Sequence, residues 1–522
     1  MGLVVDYGGH ILGAVVLALL VGLVARPRQA IRRNGEPLRT PPDTLPLVGN
    51  GIKFLQSRWD LLGWFDKCQR QFGYETVALT VPTLPPGVLI HSPQNLEYVF
   101  KNEGLFTKGE FVKRRSWDLF GNGIINADGD MWKLQRKAGL AFLNNANLRV
   151  LTDVALPQYL SETLRDLKTS IGGDIVDLQH VFHEITTKLM GQMAYNMEMH
   201  ADDAFSQAFD YASGATAERF QNPLWPVTEL LTGRKFRRSV ATVKSFGQRI
   251  VASAMHDRAA QQQTPSPSSF TPTTSDEEEA EDLPKPTHIS GSLIQSLLAA
   301  LSTPSTVADA ALTYLSAGRD TTGQALTWTF YLLLQHPGAI SKIRAEVASL
   351  LASHPSDSPL NTTLFTPLAL PYTTAVFHEA LRLYPPIPFE IRQCQADAVL
   401  PDGTALPRGS VLVWCIWAMQ RSALTWGGDA GLFRPERFLR EDKNGRRFVL
   451  GKSASEFPVF YGGARTCLGR RMAEAVAVQV IPAVVWGVEL EAAWEVGVGR
   501  RSQTSLTLPM EGGLPVRVVG RG

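Results

Sequence analysis

The segment from Phe460 to Gly469 reads F-Y-G-G-A-R-T-C-L-G and satisfies F-x-x-G-x-R-x-C-x-G at every specified position. These residue types at this spacing suit a cysteine kept as a thiolate ligand. Cys467 supplies the sulfur, Gly463 permits a tight turn, and Gly469 lets the backbone approach a flat group closely. A helix starting just after Cys467 would aim its positive end at the sulfur. A thiolate pushes electron density onto haem iron and favours O–O cleavage, so the implied chemistry is oxygen activation on a haem b held by Cys467. Arg465 can neutralise a haem propionate, and Phe460 belongs to the same cofactor loop. A merely structural cysteine would not require Phe, Gly, Arg, Cys and Gly together at these positions.

Other spacings add to this. Ala317-Gly318-Arg319-Asp320-Thr321-Thr322 lies inside a long apolar segment, roughly Thr306 to Gln335, that stops before Pro337. A small pair followed by an acid and an alcohol is odd in a plain core helix, because Gly costs stability there and Thr competes for backbone hydrogen bonds. Glu379 and Arg382 stand at i and i+3, on one helical face, and Pro435-Glu436-Arg437-Phe438 follows later. Trp132 and Arg136 are one helical turn apart. Two patterns mislead: Gly121-Asn-Gly123 lacks the third glycine of a dinucleotide fingerprint, and His378-Glu379-Ala-Leu-Arg382 has Arg where a zinc protease needs its second His.

In these motifs and their order the chain resembles the cytochrome P450 family, from an N-terminal anchor to the C-terminus. The resemblance implies that Glu379, Arg382 and Arg437 form a structural ion cluster. It implies that Trp132, Arg136 and Arg392 hold haem propionates, and that Asp320 and Thr321 relay protons to bound dioxygen. The reaction expected is RH + O₂ + 2 e⁻ + 2 H⁺ to ROH + H₂O. With fewer than sixty residues after Cys467 there is no space for flavin domains, so electrons are expected from a separate NADPH-cytochrome P450 reductase. Glu390 departs from the family pattern, in which this stretch is mostly apolar. Either it points away from the pocket or the substrate carries a polar group.

The elements that must position these residues follow from composition and periodicity. With 44% hydrophobic residues, 11 Trp and 24 Phe, the chain can bury an extensive core. A net charge of +2 gives no reason to expect nucleic acid. Four scattered cysteines, Cys68, Cys394, Cys415 and Cys467, form neither a zinc site nor a disulfide framework and fit a reducing compartment. Helical periodicity runs through Leu160–Leu167, Phe246–Met255 and Tyr372–Leu383, and strand-like runs at Tyr74–Leu79, Val88–Ile90, Val411–Trp414 and Val516–Val519. The expected fold is mainly α with small β-sheets.

Residues 1–25 read as an uncleaved signal-anchor: Ile11 to Ala25 carries no charge, and Arg26, Arg28, Arg32 and Arg33 follow. This places the protein in the endoplasmic reticulum membrane with a single pass and a cytosolic catalytic domain. Residues 26–51, basic and rich in Pro, read as a stiff spacer, and 52–522 as the haem-thiolate domain. A Gln, Ser/Thr/Pro and acidic tract at 261–288 reads as a disordered insertion.

A haem-thiolate isomerase or dehydratase would not need Asp320 and Thr321, nor would a non-catalytic haem sensor or carrier. The hydrophobic substrate is expected to be a long aliphatic chain, such as a fatty acid or polyketide-derived tail, oxidised at or near its end. The A-G-R-D-T-T run and the W-K-x-Q-R-K stretch at Trp132–Lys137 resemble the fungal alkane-oxidising and plant fatty-acid-hydroxylating branches. Ala317 stands where a Glu would be needed for a covalent haem link, so none is expected. A terpenoid, sterol or aromatic metabolite is the alternative substrate. Expected pocket walls are Phe111, Trp117, Ile387, Phe389 and Leu506 to Leu508.

Overall fold

The long apolar segment folds as the helix around which the others are arranged. In this computed structural model, which describes residues 31–520 apart from 47, 82–83, 264–291, 355–359, 444 and 446, ten helices matter to the site. They are α1 (Arg58–Phe72), α2 (Gly109–Phe120), α3 (Gly129–Phe142), α4 (Leu178–Tyr195), α5 (Ala204–Gln221), α6 (Trp225–Thr232), α7 (Arg234–Gln263), α8 (Pro304–Gln335), α9 (Pro371–Leu383) and α10 (Arg470–Gly487). The Thr303 side chain caps α8 by accepting from the Thr306 amide, and Pro304 occupies its first turn, where no amide hydrogen is needed. Its 32 residues span about 48 Å at the usual helical rise. Buried residues occur around its whole circumference, from Ala310 and Leu315 to Trp328 and Leu333, because α4, α7, α9 and α10 all pack on it.

The strands are short. β1 (Arg32–Arg33), β2 (Glu36–Pro37), β3 (Val77–Leu79), β4 (Gly87–Leu89), β5 (Phe106–Thr107), β6 (Glu390–Cys394), β7 (Thr404–Leu406), β8 (Val411–Trp414) and β9 (Pro515–Val519) are those used below. One sheet runs β3–β4–β8–β6–β5, with β4 parallel to β8 and the other neighbours antiparallel. The register sets Arg392 opposite Leu412 and Glu390 opposite Trp414, so these two charged residues share one face of β6. The architecture is mainly helical with small sheets, and the expected helices at Leu160–Leu167, Phe246–Met255 and Tyr372–Leu383 all lie inside helices.

One expectation changes. The Pro-rich stretch read as a stand-off spacer is folded onto the body from residue 31: β1 pairs with β7, and Ile31 and Leu38 are buried. The cause is Asn34-Gly35, which takes positive φ at both positions (50° and 87°) and turns the chain into a two-residue hairpin. The anchor at Tyr7–Ala25, the remainder of the spacer and most of the tract at 261–288 lie outside the described residues. Among the described residues no helix is long and apolar enough to cross a membrane.

Candidate active site

The cysteine loop is built as a pair of tight turns closed on itself. Pro458–Phe460 and Gly463–Arg465 each form one turn of 3₁₀ helix, and the Cys467 amide donates to the Phe460 carbonyl at 2.8 Å. Gly463 has φ +61°, and a Cβ there would strike the Phe100 carbonyl, so both conformation and space demand glycine. Gly469 caps α10, whose first residue is Arg470. Cys467 is surrounded by protein, yet its sulfur opens onto an internal cavity. Burial pushes its thiol up; the Gly469 amide, the Arg136 charge and the Arg470 amide pull it back. These are the groups a thiolate needs, and a metal ion would complete the deprotonation.

The cavity, about 440 Å³, brings together most of the residues singled out from sequence: Cys467, Phe460, Arg465, Trp132, Arg136, Arg392, Asp320 and Thr321 all line it. Gly463 stands behind it in the loop. The cations gather near one another. Arg465 donates to Asp128 at 2.9 Å and to the Ala127 carbonyl at 3.1 Å, and its guanidinium lies 4.6 Å from the Trp132 ring centre. Arg136 lies 5.4 Å from that ring and donates to the Thr466 carbonyl at 2.9 Å. Arg392 donates to Glu390 at 2.8 Å and lies 4.7 Å from the Tyr461 ring centre. The Nε atoms of Arg392 and Arg465 are buried without a hydrogen-bond partner, the latter with only the Glu103 carboxylate at 3.5 Å, and they are donors suited to the two acid groups of a haem b. The residues present fit that group.

On α8, Ala317, Gly318 and Thr321 are the open positions in an otherwise buried stretch, and all three face the cavity. Thr321 Oγ1 donates to the Ala317 carbonyl at 2.7 Å. A Cβ at Gly318 would press into the end of the Met190 side chain of α4, which would have to move aside. Arg319 turns the other way and is 1% exposed, with Nη1 donating at 2.6 Å to both Asp210 of α5 and Asp320. Burial pushes the Asp320 carboxyl up to about 7; Arg319 opposes this and Asp210 adds to it.

Glu379, Arg382 and Arg437 meet away from the cavity. Arg382 donates to Glu379 at 2.7 and 2.8 Å, and Arg437 Nε donates to Glu379 at 2.9 Å. Arg382 also donates to the carbonyls of Gln420, Ala430 and Leu432, which ties α9 to the chain leading towards the cysteine loop. With Glu379 and Arg382 wholly buried, this is a structural knot in which every charge is hydrogen-bonded.

Some expected walls are not walls. Trp117 is 47% exposed at the surface, Phe111 is buried under the Arg115 guanidinium rather than at the cavity, and Leu508 is buried with its carbonyl accepting from Trp328. Ile387, Phe389, Leu506 and Thr507 do line the cavity. Sequence reasoning missed Lys108. Its Nζ lies 3.1 Å from Glu390 at the cavity edge, a contact spanning 282 residues that no local motif announces. That contact also resolves Glu390: burial would raise its carboxyl, but Lys108 and Arg392 outweigh this and hold it at about 2.

The Cytochrome P450 family profile matches residues 39–485. The chain is 31% identical over 453 residues to Cytochrome P450 CYP94D109 of Paris polyphylla, covering 83% of this chain and 85% of that one. It is 26% identical over 498 residues to Cytochrome P450 94A1 of Vicia sativa, covering 92% and 91%. To Cytochrome P450 monooxygenase cyp1 of Mycosarcoma maydis it is 29% identical over 506 residues, covering 92% and 75%. A cysteine loop, a stretch of α8 open to the cavity and a knot of Glu379 with two arginines, set in a chain matched over most of its length, lead to one conclusion: the chain belongs to the cytochrome P450 family.

Proposed function

We propose that this P450 monooxygenase hydroxylates a long aliphatic chain at or near its end, with Cys467 as the axial ligand. Haem carrying a cysteine thiolate, supplied with two electrons by a redox partner, supplies the oxygen-activating chemistry. The observation that carries the reading is that Cys467 and the open face of Ala317, Gly318 and Thr321 share one cavity whose remaining walls are mostly apolar. Arg136, Arg392 and Arg465, with Trp132, hold the acid groups of the cofactor. Thr321 holds a hydroxyl proton at the cavity, and Asp320, whose carboxyl burial raises to about 7 so that it exchanges a proton near neutral pH, resupplies it. The terminal methyl has the strongest aliphatic C–H bonds, so end hydroxylation requires walls that hold the chain end-on and keep weaker C–H bonds away. Phe120, Phe209, Ile387 and Leu506 provide such walls.

The protein acts at a membrane, with the cytosolic domain anchored through residues 1–25 and supplied by NADPH-cytochrome P450 reductase. Support comes from the uncharged run Ile11–Ala25 and from α6, which buries none of its residues and exposes Leu230 (75%) and Leu231 (86%). Incubation with reductase, NADPH and dodecanoic or hexadecanoic acid, followed by separation of product regioisomers, tests the substrate reading. Oxidation at or next to the terminal carbon is expected. Turnover of a compact ring substrate with no oxidation of either acid overturns it.

A further inference from the structure

The first residue of α1, Arg58, is a buried cation that no carboxylate of the described chain neutralises. It is 2% exposed and borders the same cavity as Cys467. Its Nη2 donates to the Leu506 carbonyl at 3.3 Å, and its guanidinium lies 4.3 Å from the Phe389 ring centre. Its Nε is buried and has no hydrogen-bond partner. Burial pushes this guanidinium down to about 9, and the Cys415 thiol is the one titratable neighbour that acts on it.

The other cavity cations differ. Lys108 and Arg392 share Glu390, and Arg465 holds Asp128. Arg136 sits beside Cys467 and acts on its thiol. Arg58 contacts none of these groups, so it is surplus to holding the cofactor. A buried charge is ordinarily paired, because leaving it unpaired forfeits hydration with nothing in return. The missing partner here is an anion that enters through the cavity. The cavity residues that Arg58 contacts, Phe389 and Leu506, have apolar side chains that accept methylene groups. An anion with an apolar tail fits, and a planar guanidinium binds a carboxylate through two parallel hydrogen bonds.

We infer that Arg58 is the anchor for the carboxylate of a long-chain acid, with the tail running along the cavity towards Cys467. This rests on the aliphatic-chain reading above and deepens it: the substrate is a free acid rather than an alkane or an ester, and its acid end fixes which carbons reach the iron. Arg58 is then a specificity-determining residue that takes no part in oxygen chemistry.

Substrate-induced changes in the haem spectrum of the full-length protein give the test, using dodecanoate, methyl dodecanoate and dodecane at neutral pH. The wild type is expected to bind dodecanoate at least about 10-fold more tightly than the ester. Arg58→Gln is expected to weaken dodecanoate binding by roughly 30-fold or more, and the ester and alkane far less. Arg58→Lys should recover part of the loss. The reduced carbon-monoxide spectrum reports whether each variant is folded around haem. Equal affinity of the wild type for acid and ester overturns the assignment even if no variant folds. So does an Arg58→Gln protein with unchanged acid affinity. If ester and alkane are still bound and oxidised in those cases, the aliphatic-chain reading survives; if no linear compound is bound at all, both fall.

Discussion

At the scale of single residues, the roles proposed for Cys467 and Thr321 differ, and so do the failures expected when each is changed. Cys467→Ser should abolish the red-shifted absorption band of the reduced carbon-monoxide complex, because that band depends on thiolate ligation. A variant that keeps the band would remove Cys467 as the ligand. Thr321→Ala should leave haem content unchanged and divert NADPH electrons into peroxide, measured as product per NADPH, because the hydroxyl that Thr321 presents to the cavity is lost. Asp320 adds a pH dependence whose sign follows from its carboxyl standing at about 7: below that value it carries a proton to give, and above it the proton is gone. Product per NADPH should therefore fall as pH rises from about 6 to about 8, and Asp320→Asn should flatten the profile. A variant profile that still bends near neutrality would assign the titration to another group.

At the scale of elements, α9 is tied to the stretch of chain from Gln420 to Arg437 that leads on to the cysteine loop. Glu379 is the hinge of this arrangement, since it accepts from Arg382, Arg437 and the Arg434 amide at once. Glu379→Gln keeps the shape and removes the counter-charge, leaving the buried Arg382 guanidinium uncompensated and Arg437 with Asp429 alone at 3.4 Å. A loss of about 3–5 kcal/mol is expected, seen as a drop in haem-loaded protein and in thermal midpoint. If haem loading and midpoint were both unchanged, the cluster would be dispensable. The i, i+3 spacing of Glu379 and Arg382 was legible as a pair on one helical face, and the resemblance assigned Arg437 to it. That Arg382 also ties down three backbone carbonyls was not legible, because carbonyl groups carry no sequence signature.

At the scale of the whole molecule, the chain is folded onto the body from residue 31 onwards, so at most residues 26–30 separate that body from the proposed anchor. The body is then expected to lie close against the bilayer rather than to stand off on a spacer. Deleting Met1–Ala25 should shift the protein from the membrane pellet to the soluble fraction on cell fractionation, with the carbon-monoxide band intact. A truncated, folded protein still wholly in the pellet would make the exposed face of α6 the dominant contact.

The amino-acid sequence alone made the family, the cofactor loop and the open stretch of α8 legible, because each depends on residue types at short, fixed spacing. F-x-x-G-x-R-x-C-x-G forms its turns locally, and Ala317-Gly318-Arg319-Asp320-Thr321 is only five residues of one helix. It held one local signal that went unread: Asn34-Gly35, the hairpin that folds the Pro-rich stretch onto β7. Packing alone set the pairings between distant segments. Lys108 meets Glu390 across 282 residues, and Arg58 meets the Leu506 carbonyl across 448. Trp117 and Phe389 are both large apolar residues, yet one faces solvent and the other the cavity. Composition and periodicity say which side chains prefer burial; which wall they stand in, and which charge is left without a partner, is fixed only when the elements pack.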